Sequence, residues 1–491
     1  MPSMPPLHAS ASAPLAPSPA APRATSRLRR GLVRLAATAL LAFGAIGGAQ
    51  ADVILHAFNW RYADVEARAS QIQAAGYRAV LVAPAYKSEG SAWWARYQPQ
   101  DYRLIHHPLG DTTAFRSMVN ALNARGIRVY ADVILNHMAN ESAQRSDLNY
   151  PGQRLLNLYA GNTSYYNGQR LFGDLRYNFL SSWDFGQATC ISDYNDVWQV
   201  QNWRLCGGGG DAGLPDLVNG DYVVSQQQAY LRALKAMGVK GFRIDAAKHM
   251  PIAHLNRVLT SDIKSGMHIF GEIITGGGAG NGEYDRFLAP YLQYTDHGAY
   301  DFPLHTQIRG AFGFGGSMSN LVDPQAYGQA LAAARAVTFT VTHDIPNNSG
   351  FRYALMDPTD ETLAYAYVMG RNGGSPLLYS DNNESGDNRW VNAWNRTDLK
   401  QMVRFHNAVQ GSDQAVLAHG SCYLLFRRGS LGIVGINKCG SPVNVTVNMN
   451  NSVLWWYANY TDVLDSTSKV YISSGSHTFT LPARRARLWL R

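Results

Sequence analysis

The chain has 491 residues, 46% of them hydrophobic, and a formal charge of +8. That length allows more than one domain. The charge is uneven: residues 1–51 hold Arg23, Arg27, Arg29, Arg30 and Arg34 and no acid, so the remainder carries only about +3, too little for a polyanion footprint, and no nucleic acid partner is expected. With 11 Trp, 27 Tyr and only 16% charged residues, the composition favours a neutral polar ligand met by aromatic faces.

Behind those arginines, Leu35 to Ile46 is a short apolar run, and Ala49-Gln50-Ala51 has the small-x-small form of a signal peptidase site. The run is roughly 12 residues against about 20 for a membrane span. Residues 1–51 are therefore expected to be a bacterial-type signal peptide and leader. The chain from Asp52 is expected to be secreted to the extracellular space, with the periplasm as the other destination, and to have no membrane anchor. The four cysteines, in an exported chain, suggest two disulfides. Pairing nearest neighbours gives Cys190–Cys206 and Cys422–Cys439.

Val53 to Phe58 reads as a first strand, Asp64 to Ala75 as a helix, and Tyr77 to Val82 as a second strand after Gly76. Phe115 to Arg125 (helix), Gly126 and Ile127 to Val133 (strand) repeat the pattern, which is the rhythm of a parallel sheet. The rhythm stops for about 80 residues, too many for an ordinary connection, so residues 138–217 are expected to form an inserted domain. It resumes with Ser225 to Met237 (helix), Val239 to Asp245 (strand), His254 to Lys264 (helix) and Met267 to Glu272 (strand). Strands follow near Ala299 to Phe302, at Val337 to Val341 and at Pro376 to Ser380, with a helix at Thr362 to Met369. Eight strands with helices between them predict an α/β (β/α)8 TIM barrel over 52–137 and 218–400, with the inserted domain after strand 3. From 401 onward, short alternating runs (423–426, 431–436, 443–449, 453–457, 469–472, 477–481 and 486–490) predict a C-terminal antiparallel β-sandwich.

On such a barrel the chemistry lies at the carboxyl ends of the strands. Strand three brings Asp132, Asn136 and His137, strand four Arg243, Asp245, Lys248 and His249, strand five Glu272, and strand seven His343 and Asp344. Three carboxylates, Asp245, Glu272 and Asp344, thus converge from three strands. If the substrate is a glycoside, one must attack the anomeric carbon and one must protonate the leaving oxygen. Arg243, two residues before Asp245 and on the same face of the strand, keeps Asp245 ionised as the nucleophile. Glu272, with no cation near it in sequence and two carboxylates crowding it, is the expected acid/base. Asp344, His137 and His343 are left to bind sugar hydroxyls. Trp93, Trp94 and Tyr97, after strand two, could stack on sugar rings. Asn136 and Asp216 could offer hard oxygens to Ca²⁺.

DVILNH (Asp132 to His137), GFRIDAAKH (Gly241 to His249), GEI (Gly271 to Ile273) and VTHD (Val341 to Asp344) resemble, in order and spacing, the four short motifs of the α-amylase family. LPDL (Leu214 to Leu217) resembles a fifth, and WWARYQP (Trp93 to Pro99) and Tyr194 to Leu205 look like stretches of its animal-type branch, which includes bacterial members. The resemblance implies retaining endo-hydrolysis of α-1,4-glucosidic bonds in starch, glycogen and maltooligosaccharides by a monomer, with an exo-acting maltooligosaccharide-forming amylase or a transglycosylase as the alternative and a non-catalytic carbohydrate-binding barrel as a remote one. It implies Asp245 as nucleophile, Glu272 as acid/base and Asp344 as transition-state stabiliser, and it sets Arg243, His137 and His343 beside the scissile bond. It sets Lys248 and His249 on the leaving-group side and Trp93, Trp94 and Tyr97 on the non-reducing side. It also implies a structural Ca²⁺ held by Asn136, Asp216 and the carbonyls of Gln201 and His249. Thr342, where chloride-activated members have Asn, and Leu377–Leu378, where they have a basic group, weaken the case for chloride activation.

Overall fold

A computed structural model describes residues 52–491 except 474; the expected leader and its apolar run lie outside the described residues. Eight parallel strands close into a barrel in chain order: β1 (Ile54–Ala57), β2 (Ala79–Val82), β3 (Arg128–Ile134), β4 (Gly241–Asp245), β5 (His268–Gly271), β6 (Gly298–Tyr300), β7 (Ala336–Phe339) and β8 (Ser375–Ser380). β8 pairs back onto β1, Ile54 against Leu377. The strands read as near-continuous apolar runs because both faces are covered. One face packs into the barrel, where Ile54, Tyr130, Phe270, Val337, Phe339 and Leu377 share a buried cluster. The other packs against the surrounding helices.

The helix expected over 64–75 is two helices, Tyr62–Ala67 and Ala69–Ala74, broken at Arg68. After β6 a helix unforeseen from the sequence runs over Phe302–Phe312, with Asp301 accepting the Leu304 N–H as its N-cap and Pro303 in its first turn. Extending the sixth strand to Phe302 hid that start.

Between β3 and the helix Asp221–Ala236 the chain builds short helices, Gln153–Gly161, Thr163–Gln169 and Val197–Asn202. This insertion does not stand alone. Leu104, from the loop after β2, completes its small core of Leu155, Tyr159, Tyr166 and Leu175. Buried Arg103 clasps Asp101 at 2.8 and 2.9 Å and donates to the Tyr177 carbonyl at 2.9 Å. The Cys190–Cys206 bridge closes within the insertion, and Cys422–Cys439 closes in the C-terminal domain.

The C-terminal domain pairs a six-stranded antiparallel sheet with a two-stranded one. The larger sheet comprises β9 (Gln414–His419), β10 (Tyr423–Arg428), β11 (Gly432–Asn437), β13 (Ala458–Asp462), β14 (Lys469–Ile472) and β16 (Arg485–Leu490); the smaller has β12 (Val443–Asn448) and β15 (Ser476–Leu481). Leu425, Ile433, Val445, Phe479, Leu481 and Trp489 fill the space between them. The strand expected at 453–457 is instead a turn leading into β13, and β9 was not foreseen. The helix Thr397–Val409 crosses position 400 and joins the barrel to β9. Lys438 caps the Phe302–Phe312 helix, donating to the Ala311 and Gly316 carbonyls at 2.6 and 2.7 Å. The basic run Arg484–Arg487 is largely spent on ion pairs, Arg484 with Asp357 and Asp360, and Arg487 with Asp462 and Asp465. Among the described residues no helix is long and apolar enough to cross a membrane.

Candidate active site

Asp132 and Arg243 are direct register partners on β3 and β4, so both side chains enter the barrel at one height. Arg243 is completely buried. Its Nη1 donates to both oxygens of Asp132 at 2.9 and 3.0 Å and to Asp245 Oδ1 at 2.7 Å, while Nη2 donates to Glu272 Oε1. The Tyr97 hydroxyl adds a donor to Asp132 at 3.1 Å. One guanidinium therefore holds three carboxylates from three strands. Glu272, with no cation near it in sequence, thus meets one that lies 29 residues away along the chain. The Glu272 N–H donates to the Ile244 carbonyl at 2.9 Å, and that pairing lays Glu272 beside the end of β4, where Arg243 reaches it.

Asp245 closes β4, and the next residue, Ala246, turns the chain at φ +48. Left-handed backbone is uncommon for a residue with a Cβ. Here it bends the chain directly behind the carboxylate, and the Ala246 N–H donates to Glu272 Oε2 at 3.3 Å. Burial pushes the Glu272 carboxyl up; Arg243 works against that, and Asp344 and Asp245 reinforce it. Burial also raises Asp344, again against Arg243. A proton is thus retained on this carboxylate cluster at pH values where an isolated acid would be ionised. Arg243 takes Oε1 of Glu272, and the Glu272 carboxyl also shares a hydrogen bond with Asp344.

The wall beside the acids is aromatic. The His343 ring stacks on Tyr97 at 5.1 Å and on Phe58 at 4.8 Å, with Trp93 edge-on at 5.8 Å. His343 Nε2 lies 3.5 Å from Asp344 Oδ2. Burial and the Arg243 charge hold His343 far below the usual imidazole range, so its ring is neutral. Trp94 is 42% exposed. Lys248 turns toward the loop after β5, donating to Glu283 at 2.7 Å and to the Ile274 carbonyl at 3.1 Å. Glu283, which the motifs do not mark, also takes the Gly276 N–H at 2.8 Å, so the pair pins the glycine-rich 276–282 loop.

His137 faces the scaffold rather than open space. Its Nε2 meets the Tyr97 carbonyl at 3.0 Å. A carbonyl only accepts, so Nε2 carries the proton and Nδ1 is left as an acceptor. The Asn136 amide nitrogen is 3.4 Å from that Nδ1. Its oxygen then faces the His249 carbonyl at 2.8 Å and an Asp216 carboxylate oxygen at 3.3 Å. Turning the amide would satisfy those two contacts but would set its oxygen against the unprotonated His137 nitrogen. Three converging oxygens, from an amide, a carboxylate and a peptide carbonyl, are the hard donors that a Ca²⁺ ion takes. Burial lifts Asp216 to about 8, opposed by Arg204 alone, so its carboxylate lacks a close counter-charge. The fit is good for Asn136, Asp216 and His249. Gln201 follows Val200, whose carbonyl accepts from His249 Nδ1 at 3.1 Å, on the helix of the insertion that abuts this cluster.

The description "Alpha amylase, catalytic domain" fits residues 65–271. Over 443 residues, covering 90% of this chain and 96% of its own length, an α-amylase of Aeromonas hydrophila is 56% identical. The chain belongs to the α-amylase family. It is an enzyme, a glycoside hydrolase. An α-amylase of Streptomyces violaceus is 30% identical over 473 residues, covering 90% of this chain and 74% of that protein. The fold matches that of α-amylase I from Eisenia fetida, solved in complex with maltohexaose, with a TM-score of 0.71 at 23% identity, over 90% of this chain and 97% of that one.

Two further residues of this α-amylase-family site were not singled out from the sequence. Tyr300, ending β6, sets its ring 5.7 Å from the Arg243 guanidinium, which also lies 5.9 Å from the Tyr97 ring. His56 on β1 is buried, with its ring edge-on to His343 at 5.5 Å; burial and then Arg243 lower it to about 3. Both are polar residues near the carboxyl ends of their strands, the same signal that picked out Asp245.

Proposed function

We propose that this enzyme hydrolyses α-1,4-glucosidic bonds in the interior of starch, glycogen and maltooligosaccharide chains, with retention of configuration. The observation that carries the reading is the Arg243 hub: Asp245 and Glu272 hang on the two nitrogens of one guanidinium. Two carboxylates held by one guanidinium are close neighbours, which favours the roughly 5 Å separation of a nucleophile and acid/base pair over the wider separation of an inverting pair. Asp245, fixed at 2.7 Å by Arg243, attacks the anomeric carbon. Glu272, whose carboxyl burial pushes up, gives its proton to the departing glucosidic oxygen. It then removes a proton from the water that breaks the glycosyl–Asp245 ester. Asp344 and neutral His343 bind ring hydroxyls, and Trp93, Trp94 and Tyr97 offer faces to sugars on the non-reducing side. Lys248 and Glu283 shape the leaving-group side.

The same reading takes Ca²⁺ as a structural ion on Asn136, Asp216 and the carbonyls of His249 and Gln201. When bound, the ion supplies positive charge that ties the insertion to the barrel behind the catalytic rim. Thr342 and buried Leu377 and Leu378, which present no basic group, weigh against chloride activation. The aromatic loop and the 194–205 stretch favour the animal-type branch, whose resemblance implies a monomer, and the signal-peptide pattern of residues 1–51 favours secretion.

The test is to follow viscosity and reducing ends together on soluble starch. A steep early fall in viscosity per reducing end, abolished in Glu272→Gln, supports internal cleavage. A slow fall with one short product would favour the exo-acting alternative.

A further inference from the structure

At one corner of the C-terminal domain, far along the chain from the catalytic motifs, Trp455, Trp456, Tyr457 and Tyr471 are 53%, 45%, 71% and 48% exposed. The turn that carries the first three is braced. The Trp455 N–H donates to the Tyr460 hydroxyl at 2.9 Å, and that hydroxyl donates to the Ser430 carbonyl at 2.9 Å. The Arg491 guanidinium lies 4.1 Å from the centre of the Trp455 ring. The Tyr457 N–H donates to the Ile472 carbonyl at 2.6 Å, which sets the turn beside β14. On β14, Tyr471 pairs with exposed Asn459. Tyr457 is held at φ +57, a conformation that glycine or asparagine takes readily and a bulky aromatic residue does not. Neither packing nor turn chemistry calls for an aromatic side chain there, and strain of this kind gathers at ligand-binding positions.

Residues 452–461 contain no charged side chain. Arg491 lies against Trp455, and exposed Lys469 stands two residues before Tyr471 on β14; the turn itself presents rings, amides and hydroxyls, which suit a polyhydroxylated ligand whose C–H faces stack on aromatic surfaces. An anionic membrane or nucleic acid would call for a cluster of cations. We propose that this corner is a second α-glucan-binding site, separate from the catalytic mouth, in which Trp456, Tyr457 and Tyr471 hold a stretch of the polymer by stacking. The proposal rests on the α-glucan reading of the enzyme, and it gives the C-terminal domain a part in holding insoluble or branched substrate.

The experiment uses the whole chain. Adsorption to starch granules is measured in the hydrolytically silent Glu272→Gln background, with and without Trp456→Ala plus Tyr471→Ala. The same pair of substitutions is assayed for maltoheptaose turnover in the active enzyme. The expected result is about tenfold weaker adsorption, with kcat/KM on maltoheptaose and thermal midpoint unchanged. Trp456→Phe, which keeps a stacking ring, should retain most of the adsorption. Unchanged adsorption beside intact maltoheptaose turnover would overturn the second site alone. Turnover falling in parallel with adsorption would also overturn it, because the rings would then act through the fold. A parent chain that neither adsorbs to nor hydrolyses any α-glucan would remove the substrate reading, and this proposal with it.

Discussion

Replacing Arg243 by Lys should separate the hub's charge from its geometry. The guanidinium has no solvent exposure and spans Asp132, Asp245 and Glu272 with two nitrogens. A single ammonium on a shorter stem can stay close to Asp132 but cannot reach all three. Stranding one partner of a buried pair costs about 3–5 kcal/mol. Part of that cost is relieved when a carboxylate takes up a proton. Asp245 also loses the contact that fixes it for attack. A loss of about 3 kcal/mol in transition-state stabilisation predicts a fall in kcat/KM of about 10². The direction in pH follows from the charge. Removing a cation raises a carboxylate's pKa, so the acid limb of the kcat/KM profile should move to higher pH. The assay is maltoheptaose hydrolysis across pH, with circular dichroism to confirm folding. A folded Arg243→Lys enzyme within tenfold of the parent, with its acid limb unmoved, would refute the hub as the source of Asp245's reactivity.

Asp344→Asn should shift the basic limb of the residual activity downward in pH. The acid works only while protonated, activity is lost as pH rises through the Glu272 pKa, and Asp344 is one of the charges that raise it; a limb that stays in place would contradict this. Calcium at a hundredfold its Kd should raise apparent stability by about 2.7 kcal/mol, read as a thermal midpoint that falls with chelator, and Asp216→Asn should abolish the response. Removing the Cys422–Cys439 bridge, which closes a loop of 17 residues, should cost at most about 3 kcal/mol in stability. It should leave maltoheptaose turnover unchanged, since the bridge lies in the C-terminal domain.

The barrel was legible because its strands are buried on both faces and so appear as apolar runs closed by glycine-ended helices. All eight lie within a few residues of their expected positions. What failed had a local cause. The strand expected over 299–302 stops at Tyr300, because Asp301 and Pro303 start a helix. Trp455–Tyr457 has the composition of a strand but forms an exposed turn. The helix Thr397–Val409 starts without a side-chain cap, and only Gly411 just beyond it, at φ +79, marks its end. In the site, residue types at strand ends gave the candidate acids, but which charge meets which acid depends on register. Asp132 stands level with Arg243, and Glu272 comes to the same guanidinium across 29 residues of chain. The Lys248–Glu283 pair and the junction of Arg103 with the insertion are likewise contacts between segments distant in sequence. No periodicity records them.

The most direct test of the account is to find where the sugar becomes attached. A fluorinated maltosyl fluoride, which forms a glycosyl-enzyme quickly and loses it slowly, is added to the active enzyme. The protein is then digested with trypsin and mapped by mass spectrometry. Cleavage after Arg243 and Lys248 releases Ile244–Lys248, in which Asp245 is the sole carboxylate side chain. The account predicts one glycosyl unit on that peptide, absent in Asp245→Asn. A label on the peptide carrying Glu272 or Asp344 would contradict it, as would time-dependent turnover of the reagent with no covalent adduct.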